Sequence, residues 1–185
     1  PRWSQRQKAR VQQRLLQRRE RRLLQRFTTL SVCSQDDRRY LGSPDRLHVI
    51  PNGFERPATL PRSEPTTPPR LGFIGLFSYA PNLEGVRWFV RECWPAIRQP
   101  VPGITLRLVG KETDGVLKPT EPGVEALGFV TDPAREIETW SGMVIPIQFG
   151  GGTRIKIAEA FSRRCPVVST TVGAFGYEVT NGNEL

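Results

Sequence analysis

Beyond residue 70 five short apolar runs, "RLGFIGL", "ITLRLVG", "VEALGFV", "GMVIPI" and "CPVVSTT", alternate with helical segments and loops. Runs that are apolar at every position, not at every second one, belong to strands buried on both faces. Their alternation with helices pairs them in parallel. The expected fold class is α/β with a doubly wound parallel sheet. Between the first two runs the spacing predicts a helix capped by Asn82, with Leu83, Val86, Val90, Cys93 and Ile97 on one face. "DPAREIETW" should open on Asp132 as N-cap, with Pro133 at the first helical position. In such folds ligands bind outside the carboxyl ends of the strands.

One of those ends carries "IPIQFGGGTRIKIAEAF", residues 145–161. Gly150, Gly151 and Gly152 tolerate positive φ and let the backbone approach a ligand closely. Between a strand and a helix they direct N–H groups at one point, which favours an anion. Neither GxxxxGK[ST] nor GxGxxG is present, since position 155 is Ile, so an NTP-hydrolysing P-loop is excluded. Arg154 and Lys156 then stand out. Two cations in a first turn oppose the helix dipole at about 0.3–1 kcal/mol each, and a bound phosphate reverses that sign. The other reading has both side chains in water, with Lys156 and Arg163 pairing to Glu159 as a surface salt-bridge residue.

Charge separates the two ends of the chain. Of the +9 net charge on 185 residues, all resides in residues 1–26, which hold ten bases and one acid; the remaining 17 bases and 17 acids cancel. That segment reads as a helix with Leu16, Leu23 and Phe27 in a stripe and Val11, Leu15 and Leu24 at its margins. It suits either a solvated helix packed through its leucines or an anionic membrane surface. Nucleic acid is not expected as a partner, because the neutral remainder offers no basic face. A strand in "FTTLSVCS", a short helix begun by Ser34 and Asp37, and a strand in "RLHVIPNG" follow. The Asp36–Asp37 pair reads as a helix start, not a metal motif. Domain boundaries are placed at 1–55, a proline-rich linker at 56–69, and 70–185. The three cysteines are widely spaced and expected as buried thiols in a reducing compartment, and the single His48 has no metal partners nearby. There is no apolar run long enough to span a membrane and no signal peptide. The chain opens on Pro1 and its only methionine is Met143, so a piece of a longer protein is expected.

The order "VIPNGFE", "LGFIGLFSYAPNLEGVRWFVRECWPAI", "LRLVGKE", "VEALGFVTD" and "PIQFGGGTRIKIAEAFSRRCPVVSTTVGAFG" resembles the C-terminal half of family 4-type retaining glycosyltransferases of the B fold, the glycosyl transferases group 1. "ERRLLQRFTTLSVCSQDDRRYL" resembles the end of that family's N-terminal domain. The resemblance implies a Rossmann-like donor-binding domain and the remnant of a second, acceptor-side one. It implies that Glu159 meets the donor ribose, while the family's first loop glutamate falls on Gly151. Thr153 and Arg154 stand near the diphosphate. "GLFSYAPN" replaces the segment that usually carries an Arg and a Lys, so Arg154 and Lys156 are the candidates for catalytic charge. Gly128, Phe129 and Val130 match the segment that meets the nucleobase, with Phe129 as core residue the alternative. The donor-binding set is thus Gly128, Phe129, Val130, Gly150, Gly151, Gly152, Thr153, Arg154 and Glu159.

The implied reaction is retaining, hexosyl-type transfer from a nucleotide-sugar to a glycan or lipid-linked acceptor in polysaccharide biosynthesis. No metal or cofactor is expected. The expected place is cytoplasmic and peripheral on the inner face of the cell membrane, and this chain alone should lack most acceptor groups. The rival readings are a non-catalytic nucleotide-sugar-binding module, raised by Gly151, and a basic protein docking on membrane or nucleic acid.

Overall fold

The computed structural model describes residues 5–55, 66–114, 116, 121–151 and 153–177, and the chain divides into two units, Pro1–Pro51 and Asn52–Leu185. In the first unit α1 (Gln5–Arg26) leads into β1 (Leu30–Val32), α2 (Gln35–Tyr40) and β2 (Leu47–Val49). The two strands pair in parallel with Leu30 opposite Leu47, which makes a βαβ unit. Ser34 caps α2 as expected: its Oγ accepts from the Asp37 N–H at 3.1 Å. Asp36 and Asp37 in the first turn, with Arg38 and Arg39 in the last, suit the helix dipole. The stripe on α1 is not covered. Leu15, Leu16, Leu23 and Phe27 are 58%, 52%, 41% and 47% exposed within this chain.

The second unit is a five-stranded parallel sheet in the order β5-β4-β3-β6-β7. Its strands are β3 (Arg70–Ile74), β4 (Thr105–Val109), β5 (Val124–Gly128), β6 (Gly142–Ile145) and β7 (Val167–Ser169). All neighbours run parallel, as the continuous apolar runs required. Every residue of β6 is buried. Phe73, Leu106, Leu108, Trp140, Met143 and Ile145 form the centre of the core at 0% exposure. Trp140 lies so close to β3 that a β-carbon on Gly72 would stand 2.0 Å from its ring.

The long helical connection after β3 departs from expectation. It begins as α3 (Ala80–Trp88), widens into a π-turn over Phe89–Cys93, and continues as α4 (Trp94–Arg98). Pro95 has no N–H to donate into the ladder, and widening there is the usual response. The extra residue turns Phe89, Val90 and Trp94 inward together with Val86, while Leu83, Cys93 and Ile97 pack at the margin. Asn82 is not the cap. Tyr79 holds that position, Pro81 lies in the first turn, and Asn82 is a nearly buried residue of the helix itself. By contrast α5 (Pro133–Glu138) starts as read, with Asp132 accepting from the Arg135 N–H at 3.2 Å. Of the three cysteines only Cys165 is fully buried; Cys33 and Cys93 are half-buried, because each sits at the edge of its apolar segment. Most of the linker, residues 56–65, lies outside the described residues. Among those described, no helix is long and apolar enough to cross a membrane.

Candidate functional site

The sheet order places the topological switch point between β3 and β6, where a crevice opens beyond the strand ends. Two loops meet there. The loop after β6 runs from Pro146 to Arg154 and leads into α6 (Ile155–Ser162). It packs against α3 so closely that a β-carbon on Gly85 would stand 2.6 Å from the Pro146 carbonyl oxygen. Gly150 has φ +109, a conformation that only glycine adopts without strain. Gly151 is exposed and has no described atom within 4 Å of where a β-carbon would stand, so a side chain would fit there. Thr153 is half-buried beside Arg154. Gly152 lies outside the described residues.

Both cations turn inward, and the water-facing reading is corrected. Arg154 is the N-cap of α6, one position earlier than a first-turn residue. Its guanidinium folds back and donates to the Gly150 and Gly151 carbonyls, each at 3.1 Å. The opposed dipole is offset because those carbonyls supply the negative ends that the helix terminus lacks. The Tyr177 hydroxyl fixes the same residue from behind, donating to the Arg154 carbonyl at 2.8 Å.

Lys156 reaches across the crevice instead of toward Glu159. Its Nζ donates to Asn82 Oδ1 at 3.0 Å and lies 4.2 Å from the centroid of the Phe73 ring. Burial, reinforced by the Arg154 charge and opposed by Glu159, brings its amine down from 10.5 to about 7. Asn82 is 7% exposed and oriented by its other end, where Nδ2 donates to the Leu76 carbonyl at 2.8 Å.

Glu159 is not the exposed salt-bridge residue that its helix position implied. Its side chain is 15% exposed, and its contact to Arg163 is loose at 4.0 Å. Burial raises its carboxyl above the ordinary range, against the pull of Arg163 and Lys156.

The ends of β3, β4 and β5 form the other part of the crevice. Gly128 has φ +71 and its carbonyl accepts from the Gly110 N–H at 2.8 Å. Phe129 is 69% exposed, which overturns the core alternative, and Lys111 Nζ lies 5.9 Å from its ring centroid. Phe129 and Lys111, with Val130, Ile74, Leu76, Val109 and Pro133, line a mostly apolar cavity of about 310 Å³ next to Gly128. Gly75 joins the two parts. It lines the cavity, and a β-carbon on it would meet Asn82 Nδ2 at 2.8 Å and Lys156 Nζ at 3.2 Å. Asn82 and Gly75 were missed by sequence reasoning as site residues. A buried-range asparagine three residues into a helix and a glycine just past a strand end were the available signals. Among the described residues no three His, Cys, Asp or Glu side chains group as metal ligands.

A parallel sheet with this strand order is Rossmann-like, and it matches the Rossmann-like domains of the glycosyltransferase B fold. Residues 68–184 match the family model described as "Glycosyl transferases group 1", and the chain belongs to that family. It is 25% identical over 123 residues to an uncharacterised 44.6 kDa protein in the cps region of Klebsiella pneumoniae, covering 61% of this chain and 32% of that one. The fold is similar to that of TarM, with a TM-score of 0.66 at 16% identity over 80% of this chain and 30% of the other. It is also similar to HepE of Anabaena, solved with UDP and glucose, with a TM-score of 0.56 at 19% identity over 79% of this chain and 45% of that one. The chain thus spans about a third of the curated relative it matches.

Proposed function

We propose that this chain is the donor-binding part of a metal-independent, retaining glycosyltransferase that moves a hexosyl group from a nucleotide-sugar to a glycan or lipid-linked acceptor. The observation that carries this reading is the crevice at the switch point, where an apolar cavity adjoins two inward-turned cations at a glycine loop. The cavity lined by Phe129 and Val130, next to Gly128, suits a planar base. The Arg154 guanidinium and the Lys156 amine suit the diphosphate, and Glu159, loosely paired and short of partners, suits the ribose hydroxyls. During transfer the departing diphosphate gains negative charge on its oxygens. Fixed cations and N–H groups stabilise that charge without a metal. Solved relatives of this fold hold UDP, which supports the donor class, and the relative from a cps region supports a role in polysaccharide biosynthesis.

The test is calorimetry of UDP and GDP against their nucleosides, on the wild type and on Arg154→Ala. The substitution should weaken diphosphate binding by about 1.5–3 kcal/mol, the range for hydrogen bonds to charged groups, and leave nucleoside binding nearly unchanged. Equal losses for both would make Arg154 a purely structural staple of its loop.

A cytoplasmic protein held peripherally at an anionic membrane completes the proposal. The exposed stripe of α1 amid the nine bases of that helix supports it. Cosedimentation with vesicles rich in phosphatidylglycerol should be lost at high salt and on removal of residues 1–26. Retention after that deletion would refute it.

A further inference from the structure

We infer that Lys156 takes up one proton from solvent when a donor diphosphate enters the glycine loop, and that Asn82 is the positioning residue that keeps its amine in place for this. The inference rests on the donor-site reading above and adds a mechanism to it.

The geometry sets up two states of one amine. Without ligand, Nζ has as its hydrogen-bond partner a neutral amide oxygen, Asn82 Oδ1 at 3.0 Å. That partner accepts from either –NH₂ or –NH₃⁺ and carries no charge of its own, so it favours the cation far less than a carboxylate would. Asn82 cannot turn away, because its Nδ2 is held by the Leu76 carbonyl at 2.8 Å. The charged groups acting on the amine both lie on its own segment: Arg154, which repels a second cation, and Glu159, which attracts one. Glu159 is itself engaged at 4.0 Å by Arg163. From β3 and α3 the described groups packed over the amine are Phe73, Gly75 and Asn82, none charged. Titratable groups on neighbouring segments of the loop are the phenols of Tyr79, beside Gly150, and Tyr177, on the Arg154 carbonyl. The Phe73 ring face, Asn82 Oδ1 and Glu159 favour the cation, and burial outweighs them, so the amine comes down to about 7. A diphosphate beside it would supply the missing negative charge and raise that midpoint. The nitrogen lone pair then accepts a proton from the buffer and returns it when the nucleotide leaves.

The experiment is titration calorimetry of the 185-residue chain with UDP-, GDP-, ADP-, CDP- and dTDP-linked sugars, in buffers of differing ionisation enthalpy. Their doubly esterified diphosphates do not titrate near neutrality, so any proton counted belongs to the protein. At about pH 8 the bound form should take up about 0.9 proton per nucleotide-sugar, since a group with a midpoint near 7 is about nine-tenths deprotonated there. Asn82→Asp places a carboxylate against the amine, keeps it charged beforehand, and should bring the uptake per bound nucleotide-sugar close to zero, with weaker binding.

Because that variant could fail to fold, a second measurement uses the wild type alone. The chain has four lysines. One lysine carbon-13 ε signal should titrate near neutrality and move above pH 9 with saturating nucleotide-sugar. Binding without proton uptake, or four lysines all titrating in the ordinary range, overturns the inference and leaves the donor site standing. Absence of binding by every nucleotide-sugar overturns the donor site and this inference with it.

Discussion

Replacing Lys156 by methionine should change the stability of this domain with opposite signs at low and high pH. In the folded chain burial brings the amine from 10.5 to about 7; in the unfolded chain it titrates at its ordinary value. Between those midpoints the unfolded state binds more protons, so stability rises with pH there, and the full penalty applies below the folded midpoint. At about 1.4 kcal/mol per pH unit, the gap corresponds to about 5 kcal/mol. Methionine has a similar length and no proton, so it removes that penalty. It also leaves Asn82 Oδ1 without its donor, which costs about 1–3 kcal/mol for a buried acceptor. Net, the variant should be more stable than wild type by about 2–4 kcal/mol near pH 6, and less stable by up to about 2 kcal/mol near pH 10. Urea unfolding at both pH values, with unchanged m-values, measures this directly. A difference that does not vary with pH would show that the amine is not desolvated in the folded state, and the assignment of the site's charge would fail with it.

Glu159→Gln should narrow the affinity gap between UDP and its 2′-deoxy analogue, because an amide oxygen is a weaker acceptor than a carboxylate; an unchanged gap in calorimetry would remove Glu159 from the ribose. Its carboxyl is raised by burial, so the folded wild type binds the extra proton just above the ordinary carboxylate range and loses stability as pH rises through it. Thermal unfolding should therefore find the glutamine variant gaining on wild type from pH 4 toward pH 7, and a constant difference would count against that burial. Gly72→Ala drives a methyl group into the Trp140 ring, with 2.0 Å available, and should destabilise the domain by about 1–3 kcal/mol or prevent folding, as overpacking does. A loss under about 0.5 kcal/mol in urea unfolding would show that β3 can move away from the indole.

Much of the fold was legible because it depends on local patterns that a parallel sheet cannot do without. The apolar runs became β3 to β7, Asp132–Pro133 opened α5, and Ser34 with Asp37 opened α2. The helix after β3 was legible as a helix but not in its facing. A strict 3.6 period cannot anticipate the π-turn beside Pro95, so Phe89 and Trp94 were left off the buried side; Asn82 was put at the cap for its residue type, whereas Tyr79 holds that place. The candidate site divides in the same way. The glycine loop and the exposed Phe129 stretch follow from a strand ending at a turn, whereas the partners of Arg154, Lys156 and Glu159 come from elsewhere in space. Asn82 and Lys156 are 74 residues apart, and no helix-dipole or (i, i+4) rule can bring them together.

Two inward cations of this domain show why that distinction bears on function. Arg107, on β4, is 19% exposed and has two carboxylates around it, Glu125 at 3.1 Å and Glu136 at 3.8 Å. Its charge is answered inside the fold, so a structural role accounts for it. Lys156 has an amide and a ring face, and among the described residues no carboxylate bonds its nitrogen. A penalty of about 5 kcal/mol is large against the 5–15 kcal/mol by which a domain is stable. A methionine would fill the same space without it. A packing requirement therefore does not account for the lysine; under the proposed donor site an anion arriving at the glycine loop would, because it would convert the penalty into binding energy at that one place.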